Sequence, residues 1–357
     1  MRVSVSAMIL LLTVALPVMG QQPREMPPVQ PAAPPVSGNL ADDVAAQNQQ
    51  PGECGKEPGV LASAFDRFLN PTECDPHWSF SADGVALQRS HSRSQLLFRE
   101  VNNTSAVLDA KDVNFPTALG FQLNAVRRGP CGWEWELGYF QIDNFDASTT
   151  IPGSAVLRIG AEDPGLLVHN AEAHYRSAIH LAEINLRRQW CDGLTLLVGF
   201  RTGELNEFYS GAGLERNEDF VSSLNINTYN HLYGFQTGAI YEFYNMGGPL
   251  RVSALCKAGI YGNSAIQSST VVSDTGEGTL AAHRYQTAFM GEIGTVATYQ
   301  VTCHLSLRAS CQAMWIEGVA LAPEQIGVND FNLPPTSIDT HGGIFYYGGG
   351  LGAELKF

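Results

Sequence analysis

Charge is scarce in this chain: only 16% of its residues are Asp, Glu, Lys or Arg, against about a quarter in ordinary soluble domains. Basic residues are scarcer still, 21 against 35 acidic ones for a net charge of -14. The clustered Lys and Arg that neutralise a phosphate backbone are therefore missing, and a nucleic-acid partner is excluded. Beyond residue 20 no apolar run reaches the roughly 20 residues that a membrane-spanning helix needs, so an α-helical membrane protein is excluded as well. None of the seven cysteines forms a C-x-x-C pair, and closely spaced ligand pairs are what a structural zinc site requires. A glycine run, Gly348 to Gly350, precedes no helix and so is not a dinucleotide loop. No cofactor and no metal are expected.

The chain begins with Met1 and Arg2, runs through an apolar stretch to Val18 and reaches the small residue Gly20. This pattern predicts a secretory signal peptide over residues 1–20, cleaved after Gly20. Residues 21–75 open with QQPREMPPVQPAAPPVSG, too rich in Pro and Gln and too poor in large apolar residues to build a core. They are expected to form a periplasmic tether.

From Trp78 onward apolar residues recur with a period of two, the mark of strands with one apolar face. Trp133, Trp135, Leu137 and Tyr139 alternate with Glu134, Glu136 and Gly138; Leu194, Leu196, Val198 and Phe200 alternate with Thr195, Gly199 and Arg201. In the stretch from Tyr229 to Phe243 the aromatic face carries two polar exceptions, His231 and Thr237. Strands are expected near 78–90, 117–128, 131–145, 172–190, 193–207, 226–245, 249–263, 284–301, 304–318 and 342–357. Short turns follow every second strand, and long segments rich in Asn, Ser, Thr and Asp follow the others. A soluble β-sandwich shares the alternation, but aromatic residues near strand ends and short turns facing long loops are features of outer-membrane barrels. The fold expected for residues 76–357 is all-β: a transmembrane antiparallel up-and-down β-barrel of about ten strands in a bacterial outer membrane. One strand fits poorly. Ile179 and Leu181 lie on one phase, Ile184 and Leu186 on the other, which calls for a bulge or a shorter strand.

The segment MWIEGVALAPEQI (Met314 to Ile326) resembles the hallmark of the beta-barrel porin-7 family of exported bacterial proteins. TYNHLYGFQTGA (228–239), AEINLRRQW (182–190), KAGIYGN (257–263) and LGYFQIDNF (137–145) are similar to further elements of that family. The resemblance spans the barrel and not the tether. It implies an outer-membrane barrel of porin type, without catalytic residues and without an established solute.

The residues expected to face the lumen are Glu134, Glu136, Arg201, Glu242, Arg251, Lys257, Glu292, Arg308, Glu354 and Lys356. Their mixed signs suit an ionic network that fills a narrow bore, or the lining of an open pore. The function expected is a porin-like passive channel for small solutes, with a structural or adhesive surface barrel as the alternative. A rim-active lipid enzyme is the remote reading, because His169, His174 and His180 have no recognisable nucleophile and orienting carboxylate beside them. Expected partners are outer-membrane lipid and the barrel assembly machinery, for which the aromatic Phe357 would serve as the signal. Export places the cysteines in an oxidising compartment. Cys131 and Cys191, at the ends of neighbouring strands, form one candidate disulfide; Cys54 and Cys74, ahead of the barrel, form another.

Overall fold

Period-two sequence becomes β-strand almost everywhere it was expected. A computed structural model describes residues 77–357 except 102–104, 130–131, 161–164, 215–220 and 332–336. The signal peptide, the tether, Cys54, Cys74 and Cys131 lie outside the described residues. Twelve strands occur among those described: β1 (Trp78–Arg89), β2 (Leu96–Arg99), β3 (Ala106–Asp109), β4 (Ala118–Arg128), β5 (Trp133–Leu157), β6 (Leu166–Cys191), β7 (Leu194–Leu214), β8 (Val221–Asn245), β9 (Leu250–Ser273), β10 (Gly276–Gln300), β11 (Leu305–Val319) and β12 (Gly342–Lys356).

All pairings are antiparallel. β1 pairs with both β4 and β12, and β5 with both β4 and β6, so the sheet closes into a ring through β1 and β4 to β12. The expected count of about ten is corrected to twelve. The two additional strands, β2 and β3, are short, pair with each other and meet only the far end of β5. They arise inside the segment read as the first long loop.

The other correction concerns length. β5 to β10 continue past their expected ends, and β9 and β10 meet across a tight turn at Asp274 and Thr275. The Ser- and Thr-rich segments that look like loops are strand, for instance Ser268 to Thr270 opposite Asn225 to Asn227. The remaining long connections follow β1 and β11. One end of the barrel thus carries short turns (the turn end) and the other the long connections (the loop end).

Toward the loop end the ring is incomplete. β4 pairs with β5 only up to Gln141, and β11 pairs with β10 only up to Phe289. The described parts of the connections 90–117 and 320–341 fill the space that β5 to β10 curve around. Leu97 and Phe98 of the first are fully buried, as are Ala320, Leu321, Ala322 and Ile326 of the second. Around them collect Tyr175, Tyr209, Leu224 and Ile226 in one cluster and Phe145, Ile179, Leu205 and Tyr346 in an adjoining one.

Ile179 and Leu181 are buried inside the barrel, whereas Ile184 faces outward and is 44% exposed. β6 keeps unbroken register with β7 from Glu172 to Gln189, so no bulge lies within that stretch; the shift nearer the loop end falls between His169 and Glu172. The register shift is in the partner strand: Ile142 of β5 faces Ile179, but Phe145 faces Ser177. From Glu172 to Gln189 the alternation of β6 does not change phase. What changes is the surroundings of its two faces.

Candidate functional site

Toward the turn end the outer face is apolar and exposed: Leu137 54%, Val198 54%, Phe235 73% and Leu351 73%. The inner face of the same strands is polar. Nine of the ten charged residues assigned to the lumen, Glu134, Glu136, Glu242, Arg251, Lys257, Glu292, Arg308, Glu354 and Lys356, line one cavity of about 420 Å³ at this end. The tenth, Arg201, lies in an adjoining crevice with Glu183, Lys257 and Glu292.

These residues pair with one another across the bore. Glu183 receives Lys257 Nζ at 2.5 Å and Arg201 Nη2 at 2.5 Å; Arg201 also reaches Glu292 at 2.8 Å. Glu136 takes Arg187 at 2.6 Å and a hydrogen bond from Asn185 at 2.8 Å. Further toward the turn end Arg308 pairs with Asp83 at 3.1 Å, and Lys356 with Glu354 at 3.4 Å. The central members are almost fully buried, with side-chain exposures of 5% for Arg201, 6% for Lys257 and 8% for Glu183. Charges taken this far from water persist only when paired and hydrogen-bonded. Glu183 and Arg187, in the segment similar to the family's AEINLRRQW, were not singled out from the sequence; their inward phase on β6 was the available signal.

Glycine makes the long reaches possible. Asn185, Gly199 and Gln236 lie side by side on three successive strands, and Gln236 donates to Asn185 at 2.7 Å across the glycine. A Cβ on Gly199 would collide with Asn185 Oδ1. Gly352 separates Asp83 from Arg308 in the same way, so polar side chains meet over a strand that offers no obstacle.

The loop end is closed by other means. The connection after β11 turns inward, makes a short 3-10 turn over Pro323–Gly327 and is held there by side chains of the wall. Asn230 donates to the Ala320 carbonyl at 2.9 Å and accepts from the Ala320 N–H at 2.7 Å; Asn263 donates to the Gly318 carbonyl at 3.0 Å. The Ala322 N–H donates to Glu207 Oε2 at 3.0 Å. Glu207 itself is paired with Arg89 at 2.5 Å, both side chains having no exposure, and accepts from Tyr175 at 2.7 Å. The Arg89 guanidinium lies over the rings of Phe115 and Tyr175 at 4.7 and 5.0 Å, a cation–π arrangement. Gln325 crosslinks the connection internally, donating to the Leu321 and Asp339 carbonyls. Glu324 accepts from the Arg93 N–H at 3.1 Å, but its second oxygen is buried without a partner. Burial pushes its carboxyl above the usual range, against the lowering effect of Arg93. Three segments quoted for the family resemblance therefore meet here: the inward connection, Asn230 and Asn263.

The histidines weighed from the sequence stay apart. His169 meets Ser154 at 2.8 Å, His174 meets Asp146 at 2.8 Å, and His180 meets Asp143 at 2.7 Å. Among the described residues no group of His, Cys, Asp and Glu is arranged to hold a metal ion. Phe357 exchanges backbone hydrogen bonds with Trp78 at 2.7 and 2.9 Å and stacks on Phe80. Among the described residues Cys191, Cys256, Cys303 and Cys311 form no disulfide with one another. Trp133, which opens β5, faces Arg188 near the end of β6, so the two turns expected to carry Cys131 and Cys191 belong to neighbouring hairpins.

No family model and no curated protein matches the sequence. Among solved structures, the outer membrane protease OmpT of Escherichia coli is 10% identical, covering 78% of this chain and 97% of its own, with a TM-score of 0.45. The Pseudomonas putida toluene transporter TodX is 10% identical over 79% of this chain and 90% of its own, at 0.34. A major outer membrane protein from Thermus thermophilus is 11% identical over 78% and 99%, at 0.26. At such identities and scores the barrel rests on its own strand pairing.

Proposed function

We propose that this protein is a bacterial outer-membrane β-barrel whose bore is closed in the state described, a structural surface barrel that stands out of the bilayer on its long strands. Membrane location is supported by the exposed apolar face toward the turn end, which a soluble protein would cover, and by the polar interior behind it. Closure is carried by one observation: the connection after β11 lies inside the barrel, with Ala320, Leu321, Ala322 and Ile326 fully buried. Below it, the Glu183, Arg201, Lys257 and Glu292 network spans the bore.

The refolded barrel reconstituted in a planar bilayer is expected to leave the conductance at that of lipid alone. A steady conductance from the wild-type barrel would overturn the closed reading.

The porin-like channel implied by the beta-barrel porin-7 resemblance is favoured by the cavity of about 420 Å³ at the turn end. It needs the inward connection to leave the bore. Channel openings that appear in Asn230→Ala, which removes the side-chain anchor of Ala320, and not in wild type would support that reading.

A further inference from the structure

His231, one of the polar exceptions on an otherwise aromatic outer face, belongs to a row running across four strands. Glu204 of β7 is the register partner of His231 of β8, His231 is the partner of Ser264 of β9, and Ser264 is the partner of Tyr285 of β10. Directly opposed side chains on one face of an antiparallel sheet have their Cβ atoms about 5 Å apart. Glu204 Oε1 is 3.4 Å from His231 Nδ1. On its other side Ser264 Oγ is hydrogen-bonded to His283 Nε2 at 3.0 Å, and the His283 ring packs edge-on against Tyr285. A hydroxyl thus has an imidazole within proton-transfer distance, the nucleophile and base that an activated serine requires, with the Tyr285 ring against that imidazole and the Glu204–His231 pair on the neighbouring strands.

The surroundings point to the substrate. Tyr229, Tyr233 and Tyr285 are 41%, 48% and 70% exposed around the row, and toward the turn end follow Phe235, Ile260 and Phe289, exposed on the apolar face. Beyond the row, toward the loop end, β8 and β9 present Asn227, Ser268 and Thr270. Aromatic residues at the junction of an apolar and a polar band mark a bilayer–water interface. At that level the ester carbonyls of membrane lipids lie.

We propose that Ser264 and His283 form a hydrolytic site on the outer wall for acyl esters of outer-leaflet lipid, with Glu204 and His231 as a positioning pair. The proposal rests on the membrane reading above and is independent of whether the bore is open. Ser264 Oγ attacks the acyl carbonyl as its proton passes to His283 Nε2. The tetrahedral adduct collapses with cleavage of the ester C–O bond, and the departing alkoxide takes that proton. Water, deprotonated by His283, then releases the fatty acid and restores the serine hydroxyl.

The test uses the refolded barrel in mixed micelles of detergent and phosphatidylethanolamine, with release of fatty acid measured, and a fluorophosphonate probe whose attachment site is mapped by mass spectrometry. Wild type should release fatty acid and be labelled on Ser264. Ser264→Ala and His283→Ala should lower release at least about 100-fold, as loss of a nucleophile or its base does. Glu204→Gln should retain labelling but change the pH profile of release, which a merely structural role would leave unaltered. All these side chains face outward, so heat-modifiable mobility of the barrel should persist in each variant. Wild-type barrel that inserts into liposomes yet neither releases fatty acid nor takes label on Ser264 overturns the proposal and leaves the membrane reading standing; failure to insert overturns both.

Discussion

Along β6, Tyr175, Ile179 and Leu181 point into the barrel and are buried, whereas Ile184 a little further on points outward and is 44% exposed while Glu183, Asn185 and Arg187 face the bore. The two halves of one continuous strand thus follow opposite solvent rules. Toward the loop end the strands surround a packed core, and their outer face carries Asp146, paired with His174 and Arg176, and Asp143, paired with His180. Toward the turn end the apolar side chains face outward and the interior holds paired charges and water-accessible space. A strand with period two tells which residues share a face. It does not tell whether that face meets lipid, core or water.

The largest way to break the contrast is in the loop-end core. Arg89→Met leaves Glu207 fully buried without its cation, and removing one partner of such a pair costs about 3–5 kcal/mol; urea unfolding monitored by heat-modifiable mobility should show a loss in that range. The outer face of the other half comes next. Val198→Arg should cost about 2–4 kcal/mol, as basic residues do at mid-bilayer depth in barrels, while Thr195→Arg, which adds its charge to the polar cavity, should cost far less. Equal losses for the two variants in the same titration would mean that the faces are assigned wrongly.

A smaller effect is expected where the two regimes meet the inward connection. Asn230→Ala leaves the N–H and carbonyl of Ala320 buried without their partner, a cost of about 1–3 kcal/mol. Limited proteolysis should then cut the variant within 320–341 under conditions that spare wild type.

The smallest effect is a pH dependence confined to the loop end. The raised carboxyl of Glu324 keeps its proton in the folded state after the unfolded chain has lost it. Its contribution is therefore fully present below the ordinary value of 4.5 and is lost as pH rises through the raised folded value. Protease resistance of the connection should fall across that interval in wild type, and Glu324→Gln should flatten the dependence.

Much of this molecule is readable from alternation. The ring strands appear at their expected places, the outward phase of Trp133, Val198 and Phe345 follows from their spacing, and the ten charged residues assigned to the lumen lie along the inner wall. Less readable were the strand extensions of β5 to β10. Toward the loop end their outward residues include many Ser, Thr, Asn and His, a composition that loops share. The row of Glu204, His231, Ser264 and His283 was hidden for another reason, since its members come from four strands and only register brings them together.

By itself the sequence determined the period of two, and with it the division of every strand into two faces, because successive side chains of a strand must point to opposite sides. It also determined where inward glycines leave room for long polar side chains. Only the tertiary structure decided which face is core and which is surface at each height, for burial depends on what closes over a face. For the loop-end half that closure comes from the described residues of 90–117 and 320–341, distant in sequence from the strands they cover, the second of them held by Asn230, Asn263 and Glu207 through contacts that no local pattern records.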